Sequence, residues 1–246
     1  MKVLILAAGY GTRLYPLTQK IAKSLIPINK KPIINFLTDK IIRLQKQFPI
    51  EHIKVVVNNK FYKDFLKWAK GIGLDAGILN DGSNTNEDRL GAIKDMSFGI
   101  GGQKDDWLIL GGDNVFDDDL EGFVKFALDK KPFPVIGLYD IKDLKDASKF
   151  GVVKLNSDKQ IVEFQEKPAH PASTLVASCV YFLPQESLSF LEEYLKSQSR
   201  VDQAGNYIAW LASQTKVFGY ALKGNWLDIG HRDSLKIAEK MFKQNP

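Results

Sequence analysis

Residues 3–18 read V-L-I-L-A-A-G-Y-G-T-R-L-Y-P-L-T, and this stretch decides the fold class. The run Val3 to Ala8 is apolar without alternation, the pattern of a strand buried on both faces of a parallel sheet. It passes directly into a loop containing Gly9 and Gly11, whose backbone freedom lets amides approach a ligand closely. Successive amides in such a turn form an anion nest. Arg13 adds an always-charged fork suited to phosphate oxygens, and Lys23 follows as a second cation. A dinucleotide-binding turn wants a third glycine, but position 14 is leucine, and no G-K-[ST] completes a Walker A loop. With no ligand at all, the same segment reads as a tight turn carrying a surface arginine.

Working outward, I-K-V-V-V at 53–57 and W-L-I-L at 107–110 read as further buried strands. Ile33, Phe36, Leu37, Ile41 and Leu44 recur at helical spacing and predict a helix over 33–48; a shorter one is expected from Phe61 to Ala69. Strand alternating with helix implies a three-layer α/β/α fold with a mainly parallel mixed sheet. Beyond residue 150 the pattern changes. G-V-V-K-L and Q-I-V-E-F flank an N-S-D-K turn, and L-V-A-S-C-V-Y-F at 175–182 is a long strand, which together predict a small antiparallel lobe. Helices are expected near 186–197 and 204–213, with a terminal one from Asp233. No linker divides the chain. A single domain over 1–246 is expected, its first part about 1–140 and its lobe and C-terminal part about 141–246, with no appended β-helical or acyltransferase domain.

Composition narrows the functional classes. Hydrophobic residues make up 44% and charged residues 26% of the 246 positions, the balance of a globular protein with a large core. The lone cysteine, Cys179, rules out an internal disulfide and any cysteine-based metal site. That usage fits a reducing cytoplasm, and the apolar N-terminal run is too short to span a bilayer. The net charge of +5 is spread over many lysines that solvate helix faces and would also suit a polyphosphate substrate. No nucleic-acid-binding motif accompanies them, so neither nucleic acid nor membrane is an expected partner. A homo-oligomer is compatible with the sequence.

Candidate chemistry lies in several further segments. I-L-G-G-D-N at 109–114 puts Asp113 at the C-terminal end of a buried strand, where α/β sheets bind ligands and where a carboxylate can reach Mg²⁺. Asp117, Asp118 and Asp119 read as a solvated loop and helix cap. In N-W-L-D-I-G at 225–230, Asp228 follows two apolar residues, and a buried carboxylate there needs either a cation or hydrogen bonds. The polar run 80–89 leads into Leu90, Gly91 and Ala92, a turn where a flat base could lie on the backbone. F-G-V-V at 150–153 and F-Q-E-K-P at 164–168 follow, the latter also readable as a surface Glu–Lys pair. His52, His170 and His231 show no metal spacing.

Taken together, G-x-G-T-R-L-x-P-L-T at 9–18, K-S-L-I-P-I at 23–28, K-P-I-I at 31–34, G-D-N at 112–114, E-K-P at 166–168 and W-L-D-I-G at 226–230 resemble the sugar-1-phosphate nucleotidyltransferases. The resemblance implies a Mg²⁺-dependent enzyme joining a nucleoside triphosphate, dTTP or UTP favoured, to a sugar-1-phosphate. It assigns Ala7, Ala8, Gly9, Gly11, Thr12, Arg13, Leu90 and Gly91 to the nucleotide. Asn114, Gly151, Glu166, Lys167 and Ser178 go to the sugar phosphate, and Asp113 and Asp228 to the metal. Arg13, Lys23, Asp113 and Asp228 form the catalytic set. Two departures stand out: Ser24 replaces the usual proline, and Ser178–Cys179 stand where the family carries a glycine beside the sugar. The Q-P-x-G-[LI]-A-x-A form common in thymidylyltransferases is absent. Two other readings stay open: an idle regulatory relative, and an enzyme of the same fold acting on an alcohol phosphate such as phosphocholine.

Overall fold

The computed structural model describes residues 1–197 and 204–242. In chain order the strands are β1 (Lys2–Leu6), β2 (Pro27–Ile28), β3 (Lys31–Pro32), β4 (Ile53–Val57), β5 (Gly77–Asn80), β6 (Trp107–Gly111) and β7 (Asn114–Phe116), then β8 (Val135–Asp140), β9 (Gly151–Leu155), β10 (Ile161–Glu166), β11 (Leu175–Leu183), β12 (Phe218–Ala221) and β13 (Trp226–Asp228). The α-helices are α1 (Ile33–Leu44), α2 (Tyr62–Gly71), α3 (Ala92–Ile100), α4 (Glu121–Asp129), α5 (Leu144–Ala147), α6 (Leu188–Ser197), α7 (Ala204–Gln214) and α8 (Arg232–Met241).

The unbroken apolarity of β1 has the predicted consequence. Val3 and Ile5 face one core, built with α1, α2 and α4; Leu4 faces a second, built with α3, α6 and α7. Strand alternation sends successive side chains to opposite faces, so only a run apolar at every position can serve both layers. β1 pairs in parallel with β4 and β6, and β4 pairs in parallel with β5. The order continues through β6 to β11, β9 and β10, with β8 and β12 branching from β11. β11 runs antiparallel to β6, β8 and β9, so the expected antiparallel portion continues the main sheet and is not a separate layer.

Local chemistry sets the ends of the elements. Helix α1 stops at Leu44, short of the predicted Phe48, and a turn precedes Pro49, which disfavours helical backbone at the residue before it. The β9–β10 hairpin closes on Asn156, whose side-chain oxygen accepts from the amides of Asp158 and Gln160. A third, smaller cluster places Leu14, Ile26, Ile28, Ile33, Val115, Ile229 and Ala238 together. It binds the loop after β1, the β7–β13 pair and α8 into one body. Among the described residues, no helix is long and apolar enough to cross a membrane.

Candidate active site

The chain leaves β1 between two neighbours. The Ala7 amide donates to Val56 O and the Gly112 amide to Leu6 O, both at 2.8 Å, so the loop begins at the C-terminal edge of the parallel strands. Asn58 Nδ2 then donates to Ala8 O at 2.9 Å. Gly11 adopts φ 60°, and a Cβ there would stand 3.1 Å from Thr18 and 3.3 Å from Lys23. The Thr18 hydroxyl donates to Gly11 O at 2.7 Å. This tight fold-back carries Lys23 under the loop, while buried Leu14 anchors the turn and leaves Arg13 exposed.

Asp113 and Asp228, remote in sequence, meet because β7 and β13 pair antiparallel with Asp228 opposite Asn114. The Ile229 amide donates to Asp113 O at 3.0 Å and locks the register. Between the two carboxylates stands Lys23, its Nζ 2.5 Å from Asp113 Oδ2 and 3.9 Å from Asp228 Oδ1. Asn114 Nδ2 donates to Asp113 Oδ1 at 2.9 Å, and Trp226 Nε1 donates to Asn114 Oδ1 at 2.7 Å. Burial alone would push Asp113 up, but the Lys23 ammonium and its hydrogen bond hold it below the usual carboxylate range. Asp228 is driven the other way, to about 6, by burial and by the charge of Asp113, against the pull of Lys23, Arg13 and Lys167. Burial also opposes the charge on Lys23, yet the two aspartates raise its pKa.

The pair fits a magnesium ion. Among the described residues no cluster of three or more His, Cys, Asp or Glu could hold a metal. Mg²⁺ commonly takes only one or two carboxylates and completes its shell with water and substrate phosphates. Asp113 and Asp228, two hard oxygen donors on either side of the Lys23 ammonium, match that requirement in number and type.

A cavity of about 380 Å³ opens beside the carboxylates. Arg13, Asp113, Asn114, Gly151, Glu166, Lys167, Ser178 and Asp228, all assigned from sequence, reach its wall. Lys167 Nζ lies 3.4 Å from Glu166 Oε1. Asn114 is only 3% exposed and has both side-chain groups engaged, so it orients Asp113 from behind. Ser178 is fully buried and donates to Gly137 O at 2.8 Å, which fixes the bulge where β11 shifts register between Ala177 and Tyr181. Cys179 occupies that bulge at φ 48°. Burial and the neighbouring Asp113 charge push its thiol up to about 12, which leaves little thiolate near neutral pH.

Leu90 and Gly91 lie outside the residues lining this cavity and immediately precede α3. Gly91 has φ 88°, open only to glycine at low cost. The polar run before it reaches the phosphate loop through Tyr10 Oη and Ser83 Oγ, 3.3 Å apart. Asp117, Asp118 and Asp119 are tied into local structure: Asp117 and Asp118 accept from Asn225 and Lys223 amides, and Asp119 from the Glu121 amide. His231 caps α8 through Ser234. Sequence reading did not find Lys149, Phe150, Phe164 and Gly205 in the cavity wall. The edge-to-face contact of Phe150 with Trp226, ring centroids 5.3 Å apart, depends on β13 returning to β7 and left no local signal.

A glycine-containing loop thus closes β1, Asp113 and Asp228 meet where β7 and β13 pair, and the cavity beside them sets Arg13, Lys149 and Lys167 among Asp113, Glu166 and Asp228. The chain belongs to the nucleotidyl transferase family, whose model matches residues 2–245. Among curated relatives, the bifunctional protein GlmU of Methanocaldococcus jannaschii is 33% identical over 243 residues, covering 98% of this chain and 54% of the relative. GlmU of Methanococcus aeolicus is 30% identical over 235 residues, covering 94% and 51%. The chain thus spans about half the length of the curated relatives it matches. A crystal structure from Bacillus anthracis, named as a glucose-1-phosphate thymidylyltransferase in complex with sucrose, has the same fold. It superposes with a TM-score of 0.82 at 23% identity, covering 98% of this chain and 94% of that one. The resemblance carried by the sequence motifs holds.

Proposed function

We propose that this protein condenses a nucleoside triphosphate with a sugar-1-phosphate, yielding a nucleoside-diphosphate sugar and pyrophosphate. The observation that carries this reading is the meeting of Asp113, Asp228 and Lys23 at a cavity that also takes in Arg13, Glu166 and Lys167. The first part of the chain, about 1–140, handles the nucleotide, and the remainder, about 141–246, contributes the sugar side and Asp228. The name of the Bacillus anthracis structure supports glucose-1-phosphate as acceptor and dTTP as donor; UTP stands beside dTTP on the sequence resemblance alone.

The sugar-phosphate oxygen attacks the α-phosphorus, and the bond from that phosphorus to the β-phosphate bridging oxygen breaks. The attacking phosphate is already ionised, so neither a general base nor a covalent enzyme intermediate is required. Glu166 accepts from sugar hydroxyls while Lys167 holds the sugar phosphate. Arg13 and Lys23 stabilise charge that accumulates on departing pyrophosphate. Asp113 and Asp228 would hold Mg²⁺, which when bound supplies positive charge to the phosphate oxygens. Leu90, Gly91 and Ala92 support the base. A matrix of five triphosphates against several sugar-1-phosphates, read by pyrophosphate release, tests the proposal. Release only when triphosphate, sugar-1-phosphate and Mg²⁺ are all present supports it. Release without the sugar phosphate indicates a hydrolase, and no release in any combination refutes it.

A further inference from the structure

The Glu166 carboxylate lies in a slot between two glycines. A Cβ built on Gly151 would stand 3.1 Å from Glu166 Oε2, and one on Gly205 would be 2.5 Å from Glu166 Cδ and would overlap Oε2 outright. The slot keeps the Glu166 side chain 15% exposed, whereas neighbouring Lys167 is 52% exposed. Gly151 opens β9 and is matched by the known motifs. Gly205 belongs to α7, the helix packed on β10, and no motif pointed to it.

Glycine is a poor choice in a helix, where alanine costs less backbone entropy. Gly205 shows no left-handed φ, so its backbone does not demand glycine. What demands it is the carboxylate lying against its bare Cα. The obstructing atoms are the end of a flexible side chain, so an added methyl would displace the carboxylate and leave the fold intact.

We propose that Gly205 is a positioning residue for the sugar phosphate, its missing side chain forming the slot that directs Glu166 into the cavity. This inference rests on the proposed transferase reading and adds to it a contribution from α7. The test is Gly205→Ala. Its melting temperature should equal or exceed that of the parent protein. KM for the sugar-1-phosphate should rise about tenfold, the scale of a lost hydrogen bond to a charged group, while KM for the triphosphate changes less than about twofold. Glu166→Asp alone should also raise the sugar-phosphate KM. Combined with Gly205→Ala it should recover at least about threefold relative to Gly205→Ala, because the shorter acid clears the methyl. An unchanged sugar-phosphate KM, equal effects on both substrates, or no recovery overturns the proposal. A crystal structure of Gly205→Ala decides the slot independently of turnover. Displacement of the carboxylate by more than about 1 Å is expected, and an unmoved carboxylate refutes the inference even if the parent protein turns over. If the parent protein neither binds nor turns over any sugar-1-phosphate, the transferase reading fails and the proposed role of Gly205 in substrate positioning fails with it.

Discussion

Replacing Lys23 by methionine removes the cation that separates Asp113 from Asp228 while retaining most of the side-chain volume. At an effective dielectric constant of about 20, unit charges at the observed 2.5 and 3.9 Å attract by roughly 6.6 and 4.3 kcal/mol. Those are gross values. Desolvation of the ammonium opposes them, and the aspartate side chains are 33% and 27% exposed, so solvent screens both pairs. Breaking a fully buried ion pair costs about 3–5 kcal/mol. With that exposure, a loss of about 2–3 kcal/mol is expected for Lys23→Met. For a chain of this size, that corresponds to a melting temperature lower by about 4–12 °C. The variant should also respond more strongly to Mg²⁺ than its parent, because the two carboxylates no longer share a built-in cation. Thermal unfolding with and without millimolar Mg²⁺ measures both effects. A variant that melts within about 1 °C of the parent, with no added response to Mg²⁺, would refute the reasoning.

Four further outcomes are expected. Asp113→Asn and Asp228→Asn should each lower kcat on the order of 10²-fold or more, since transition-state charge stabilisation is lost; near-normal turnover at modest Mg²⁺ removes that residue from the ligand set. Lys167→Ala should raise KM for the sugar-1-phosphate roughly tenfold with less effect on the triphosphate, while Arg13→Ala mainly depresses kcat; Michaelis constants for both substrates distinguish the roles. Cys179 lines the cavity, but with its thiol pushed up to about 12 it should react only slowly with Ellman's reagent in the native protein at pH 8, and fully on denaturation; rapid native labelling would contradict this. Burial, reinforced by Arg43, holds Lys40 at about 8, below its ordinary 10.5. Unfolding therefore takes up a proton between those values, so stability should rise with pH across the window and the slope should flatten in Lys40→Met, as read by urea unfolding.

The cationic groups around the site form a tighter arrangement than their places in the chain imply. Arg13 and Lys167 were expected to serve opposite ends of the reaction, and they line one cavity with Asp228 between their influences. Lys23, expected as a phosphate contact, also neutralises Asp113 directly. Asn114, expected at the sugar phosphate, lines the cavity and also links Asp113 to Trp226. One cation can thus serve the resting protein as a counter-ion and the substrate complex as a phosphate contact.

The sequence by itself determined the strands that bury both faces and the loop that follows the first of them. β1 after Lys2 and β6 are continuous apolar runs and β4 is interrupted only by Lys54, and that property is local to each segment. The phosphate loop is likewise contiguous, so Gly11, Thr18 and Lys23 could be read together before their contacts were known. The β9–β10 hairpin was legible through its Asn156 turn. Tertiary structure decided whatever depends on pairing between distant segments. Periodicity does not say that β11 joins β6 to β9 in one sheet, because either sheet edge would satisfy the same alternation. Nor does any local pattern bring Asp228 opposite Asn114, join Trp226 to the Asn114 side chain, or lay Glu166 against Gly205. Those contacts follow from strand register and from which helix covers which strand, and both are fixed only when the whole core packs.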